Sequence, residues 1–197
     1  MKISRGNSKV PFANISLTPI KSCKGCVDIC GKDCYALKSY KQYPNVRNAW
    51  DGNLEQATTD IDSYFTEIRK FLKTYKKPLF RWHVAGDIIN MTYFDYMIQI
   101  AYEFPAIKFL VFTKQYAIVN TVTSYLQGIL PENLSIVFSS WTGLPMHNPH
   151  GFPIAWYQDG TETRIPDTAI PCFGSCETCN ICWSLKNIGR DVVFEKH

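Results

Sequence analysis

The stretch "PLFRWHVAGD", residues 78–87, decides how the rest of the chain is read. It is short, rich in aromatic and branched side chains, opened by Pro78 and closed by Gly86, the pattern of a buried strand. Upstream, "TTDIDSYFTEIRKFLKTYKKP" (58–78) spaces Ile61, Tyr64, Phe65, Ile68, Leu72 and Tyr75 by threes and fours. That spacing makes one apolar helical face, with Thr59 or Asp60 as its cap and Pro78 as its stop. Downstream, Phe94, Met97, Ile98 and Ala101 line a second helix, capped by Thr92 and ended near Pro105.

The rhythm then repeats. "AIKFLVFTKQ" (106–115) reads as a strand, "AIVNTVTSYLQGILP" (117–131) as a helix with Ile118, Val119, Val122, Leu126 and Ile129 inward, and "NLSIVFSSW" (133–141) as a third strand. Short strands separated by amphipathic helices bury both surfaces through right-handed crossovers between parallel strands. The expected fold is therefore α/β, a partial TIM-barrel-like parallel sheet with alternating helices and cysteine-rich segments at both ends. One domain, 1–197, is expected: a cysteine-rich segment 1–50, a helix/strand core 51–141, a flap 142–170 and a second cysteine-rich segment 171–197. Within the flap, "IAWYQDGTETRI" (154–165) predicts a hairpin with Asp159-Gly160 at its tip. "RDVVFEKH" (190–197) predicts a final strand.

Ligands of parallel α/β folds bind at the carboxyl ends of the strands. Those ends are polar here: "HVAGD", "FTKQ" and "FSSW" bring Asp87, Lys114, Gln115, Ser139, Ser140 and Trp141 to one rim. Asp87 and Lys114 are the candidate catalytic pair, and His83, Gly86, Gln115, Ser140 and Trp141 the candidate substrate-binding residues. Strand alternation puts Arg81, His83 and Ala85 on one face, so that His83 would point into a barrel toward its mouth; a buried histidine satisfied by a backbone group is the competing reading. His147 and His150 lie in a proline-rich loop and are not needed as ligands.

All eight cysteines fall in two runs. Cys23, Cys26, Cys30 and Cys34 read C-x2-C-x3-C-x3-C; Cys172, Cys176, Cys179 and Cys182 read C-x3-C-x2-C-x2-C. The opening "MKISRGNSKVPFANISLTP" has no apolar signal core and no run is long enough to span a membrane, so a cytoplasmic chain is expected. Reduced thiols clustered in that compartment bind metal more often than they form disulfides. Structural zinc favours paired C-x2-C knuckles, whereas these denser runs are nearer the ferredoxin style, and eight thiolates would ligate two 4Fe-4S clusters. The expected cofactor is one or two iron–sulfur clusters, with zinc as the alternative and thiolates from opposite chain ends meeting to hold it. With 21 Lys and Arg against 17 Asp and Glu, the formal charge is only +4 and the basic residues are dispersed. A small-molecule substrate or a redox partner is therefore expected ahead of nucleic acid, and no membrane.

"GKDCYALK" (31–38), "RWHVAGDI" (81–88) and "FLVFTKQ" (109–115) together resemble the phage gene product eighty-eight family, over most of the chain. That resemblance implies a phage protein in the host cytoplasm. The arrangement also resembles, more distantly, radical S-adenosylmethionine partial barrels. There a cluster sits at the mouth, its cysteine triad follows the first strand, and a glycine with an acidic residue ends the second. Gly86-Asp87 would match the last element, and Cys172, Cys176 and Cys179 reproduce the C-x3-C-x2-C spacing, although at the far end of the chain. This resemblance implies S-adenosylmethionine as a further cofactor, which needs an iron that no cysteine occupies. The expected function is an iron–sulfur redox or radical-type enzyme acting on a small polar substrate. The alternatives are a metal-stapled binding module for nucleic acid or a host protein, and an electron carrier.

Overall fold

The computed structural model describes residues 1–196. Seven parallel strands form its single sheet: β1 (Ala13–Ile15), β2 (Leu79–Trp82), β3 (Lys108–Thr113), β4 (Leu134–Ser140), β5 (Ile154–Gln158), β6 (Ile170–Pro171) and β7 (Val192–Glu195), in the order β1-β2-β3-β4-β5-β7-β6. Every strand pairing between them is parallel. Because β1 to β5 follow one another without reversal, right-handed crossovers put their helices on one face, as in a barrel and unlike a doubly wound sheet.

The helices are α1 (Asp28–Lys32), α2 (Tyr35–Gln42), α3 (Pro44–Thr59), α4 (Ile61–Thr74), α5 (Met91–Glu103), α6 (Tyr116–Tyr125) and α7 (Leu185–Ile188), with a 3-10 turn at Ile181–Trp183. Strand alternation sorts the core into two layers. Phe80, Trp82, Phe109, Val111, Ile136 and Phe138 pack with Tyr64, Phe65, Ile68, Phe94, Met97 and Val119 of the helices. Leu110, Val137, Ala155 and Val192 face the other way and pack with Phe12, Trp183 and Leu185, so the carboxyl-terminal segment covers the sheet face that the helices leave bare.

The alternating core forms as the sequence predicts, with local corrections. Asp60 caps α4 by accepting from the Ser63 amide at 3.0 Å. The cap of α5 is Asn90, which accepts from the Tyr93 amide, and not Thr92. Helix α6 stops at Tyr125, since Gln127 and Gly128 turn left-handed, which leaves Ile129 exposed. Among the elements with no sequence expectation are β1, only three residues long and buried throughout, and α3, whose buried face is Asn53, Leu54 and Ala57. Residues 154–158 are not one arm of a hairpin in a flap. Both edges of β5 are taken, by β4 and by β7, so the chain after Asp159-Gly160 has no edge to pair back on. The final strand is present as β7.

Candidate functional site

The first cysteine run leaves the carboxyl end of β1 and folds onto the carboxyl ends of β2 and β3. The Leu17 amide donates to the Ala85 carbonyl at 2.9 Å, and the Ser22 hydroxyl to the Thr18 carbonyl at 2.7 Å. Cys26 N–H donates to the Cys23 carbonyl at 2.9 Å, closing a tight turn around Gly25. A Cβ on Gly25 would lie 2.9 Å from the Lys114 carbonyl oxygen, so the turn rests directly on the exit from β3. Cys30 follows on α1, buried, and Cys34 precedes α2 at its N-cap. The run is held down from outside by Tyr157 of β5, whose hydroxyl donates to Asp33 at 2.8 Å, and by Lys196, 3.0 Å from the same carboxylate.

Asp87 and Lys114 meet beneath this loop. Asp87 is buried and accepts from the Ile88 amide at 2.8 Å, the Thr113 hydroxyl at 2.6 Å and the Lys114 amide at 2.9 Å. Burial raises its pKa, and the Lys114 charge and these donors only partly oppose that. With its lone pairs committed to two backbone amides and the Thr113 hydroxyl, Asp87 ties the segment after β2 to the end of β3. The Lys114 ammonium lies among Cys30, Asp87 and Cys23; burial lowers its pKa, but these neighbours together raise it, so it stays charged. Burial, joined by the charge of Asp87, pushes the Cys23 thiol up to about 11, and burial with Cys30 and Cys23 pushes Cys26 up to about 12. Metal-free, those two thiols are protonated at neutral pH and are poor nucleophiles; a bound metal would displace the protons.

The rest of the rim is aromatic and basic. Trp141 stacks on Tyr157 with ring centroids 4.0 Å apart and donates from Nε1 to Ser139 at 3.0 Å. Lys114 Nζ sits 5.1 Å from the centre of the Trp141 ring. Gln115 is the N-cap of α6, beside Lys114, and its Nε2 is buried with no hydrogen-bond partner. Ser140 is fully buried, within 3.5 Å of Arg164, which is paired with Glu162 at 2.6 Å. Tyr157, Glu162 and Arg164 were not expected at the rim. They lie in the span that reads as a hairpin, and only the parallel placement of β5 brings them there.

Two expected site residues take other roles. His83 has φ 55°, breaking the alternation after Trp82, and its ring turns into the helical core instead of the mouth. There Nε2 shares a 3.0 Å hydrogen bond with the Tyr93 hydroxyl, which in turn meets Tyr64 at 3.0 Å, so its partner is a phenol and not a backbone group. Gly86 acts by having no side chain: at φ 91°, a Cβ would lie 2.7 Å from both Leu17 Cβ and Ser22 Oγ.

The second run forms a group of its own. Cys172 follows β6, its amide donating to the Val193 carbonyl at 2.8 Å, and Cys176 N–H donates to the Lys9 carbonyl at 2.9 Å, so the run crosses the face that the helices leave bare. Cys172, Cys176 and Cys182 pack on the core layer there. Burial raises the Cys176 thiol, against Arg81 and with Cys172 and Cys179, and pushes Cys182 up to about 12. Cys176 and Cys179 line a hollow with Phe12, Pro78 and Leu79, at the amino ends of β1 and β2, whereas the first run sits at the carboxyl ends. Thiolates from opposite chain ends therefore do not meet: one run sits on the rim with Lys114, the other across the open face with Arg81. His147 and His150 belong to neither, the first offering its carbonyl to Asn120 and the second its ring to Ser124 on α6.

Among the described residues, no three His, Cys, Asp or Glu side chains are drawn together tightly enough to hold a single metal ion. No helix among them is long and apolar enough to cross a membrane.

A parallel α/β partial barrel with a thiol-lined rim is the class that this geometry defines. The family model of Gene product 88 matches residues 2–149, and the chain belongs to that family. The match takes in the first run, Asp87, Lys114 and Trp141, and ends before the second run. No curated protein and no solved structure matches the chain.

Proposed function

We propose that this is an iron–sulfur enzyme of redox or radical type, its cluster held by the first run at the carboxyl mouth of the sheet and its substrate small and polar. The observation that carries the reading is the Lys114 ammonium set among Cys23, Cys30 and Asp87 on the rim where parallel α/β folds bind ligands. The donor set fits: thiolates are the ligands that iron–sulfur clusters use, and a fixed cation beside them offsets the negative charge they gain on binding. When bound, the cluster would supply one-electron chemistry.

The chain's own residues do the rest. Asp87 fixes the backbone of Lys114 through its amide, and the Lys114 Nζ lies against the Trp141 ring. The Trp141–Tyr157 stack gives a flat wall for a substrate, and Gln115 Nε2 offers a buried donor not already engaged. Three thiols, Cys23, Cys26 and Cys30, act on one another or on Lys114, while Cys34, at the cap of α2, is not among the principal groups that do. Three ligands would leave one iron open, which the S-adenosylmethionine branch requires. The first run also follows β1, the position that the radical-enzyme resemblance assigns to its triad, although its spacing is C-x2-C-x3-C. A second reading, a metal-stapled binding module, draws on the second run, which covers the open sheet face as a plug would.

Anaerobic protein loaded with ferrous iron and sulfide tests the reading. A broad visible absorption and a reduced paramagnetic spectrum are expected, their first-run component is lost in Cys26→Ala with Cys30→Ala, and S-adenosylmethionine should perturb that component. Colourless protein that takes up only zinc would return the chain to the binding module.

A further inference from the structure

The second run lies outside the rim chemistry, and its surroundings are unusual for a mere cover. Cys172, Cys176, Cys179 and Cys182 act on one another across a single loop and a 3-10 turn, and three of them pack against Val137, Trp183, Leu185 and Val192. The segment is pinned at several points: the Cys172 amide on Val193, the Cys176 amide on Lys9, the Trp183 indole on the Lys108 carbonyl at 3.2 Å and the Trp183 carbonyl on Ser135 at 2.8 Å. Arg81, the third residue of β2, faces this group. Its guanidinium lies 5.0 Å from the centre of the Phe112 ring, and its Nε is buried without a hydrogen-bond partner. A buried guanidinium N–H with no acceptor is unfavourable unless something accepts from it. Thiolate or sulfide sulfur would be such an acceptor.

We infer that Cys172, Cys176, Cys179 and Cys182 form a second, separate cluster site that is closed by four thiolates, with Arg81 as its fixed cation and hydrogen-bond donor. The inference rests on the iron–sulfur reading above for the kind of metal group, and not for the existence of the site. Four ligands leave no iron open, so this site binds no substrate. It locks the carboxyl-terminal segment onto the sheet and can pass single electrons. Arg81 is a positioning and tuning residue here: a positive charge against an anionic cluster stabilises the reduced form.

The test loads the full chain with ferrous iron and sulfide anaerobically and compares variants. Cys179→Ala combined with Cys182→Ala, which leaves only two thiolates, should lose about half of the bound iron, while keeping the spectrum ascribed to the first run. In a Cys30→Ala background, which isolates the second site, Arg81→Gln should keep its iron but shift the cluster to a lower reduction potential, with Arg81→Lys restoring much of the shift. Iron content unchanged in that double variant would overturn the inference, as would loss of all its iron while circular dichroism shows the fold intact. An Arg81→Gln potential equal to that of the parent would overturn the role of Arg81, independently of whether the cysteine variants fold. If Cys30→Ala keeps all its iron while the Cys179→Ala, Cys182→Ala double variant loses it, the rim reading fails and this one stands.

Discussion

Gly86 and Ser22 approach so closely that a methyl group on Gly86 would sit 2.7 Å from the Ser22 hydroxyl oxygen, and the backbone at Gly86 has φ 91°. The turn after β2 and the loop that begins the first cysteine run are thus built as one piece. Gly86→Ala meets both left-handed strain and a clash, and should cost about 3 kcal/mol. Urea denaturation measures the cost. Iron uptake by the first run should fall with it, because Cys23 is the next residue after Ser22.

The buried His83–Tyr93–Tyr64 chain predicts an acid limit on stability. Burial first, and then the Arg81 charge, lower the His83 pKa from 6.5 to about 3. Between those values the unfolded chain binds a proton that the folded one refuses, so stability falls as the pH drops, by about 1.4 kcal/mol per pH unit. The contribution is complete above pH 6.5 and stops changing below about 3. Denaturation midpoints measured across that window should slope less steeply in His83→Gln than in the parent.

Asp87 accepts three hydrogen bonds from the rim, which makes its carboxylate structural before anything else. Asp87→Asn turns an amide donor toward the Thr113 hydroxyl or the Lys114 N–H and should cost about 2 kcal/mol. Thr113→Val removes one donor and should cost about 1 kcal/mol. Both are read as a shift in the urea midpoint at unchanged slope.

Lys114→Met takes the cation away from Cys23 and Cys30 while keeping a side chain of similar length against Trp141. The first-run cluster should keep its iron and move to a lower reduction potential, and the signal from the second run should not move. Potentiometric titration followed by electron paramagnetic resonance separates the two.

The α/β core was legible because its helices carry strong three-and-four periodicity, as in Tyr64, Phe65, Ile68 and Leu72, and its strands are aromatic runs bounded by Pro and Gly. The rim was legible in part for the same reason: Asp87, Lys114 and Trp141 follow strands that the pattern marks. What escaped has physical causes. β1 is three residues with no alternation, β5 is a buried parallel strand whose exit carries Asp159-Gly160, a turn pair equally suited to a hairpin, and Tyr157 and Arg164 went with it. His83 was misplaced because strand alternation holds only while φ stays extended, and the chain departs from it one residue after Trp82. The separation of the two cysteine runs is a property of topology: one leaves β1 on the rim, the other crosses from β6 to the Lys9 backbone. Spacing along the chain carries no trace of that.

Mössbauer spectroscopy of the full chain loaded with 57Fe and sulfide, beside a variant with Cys23, Cys26 and Cys30 all replaced by Ala, tests the central claim most directly. Thiolate-ligated iron–sulfur signals in the parent, with one component missing from the variant, are the predicted result. Identical iron–sulfur spectra from the two proteins, or iron seen only as loosely bound ions, would contradict it.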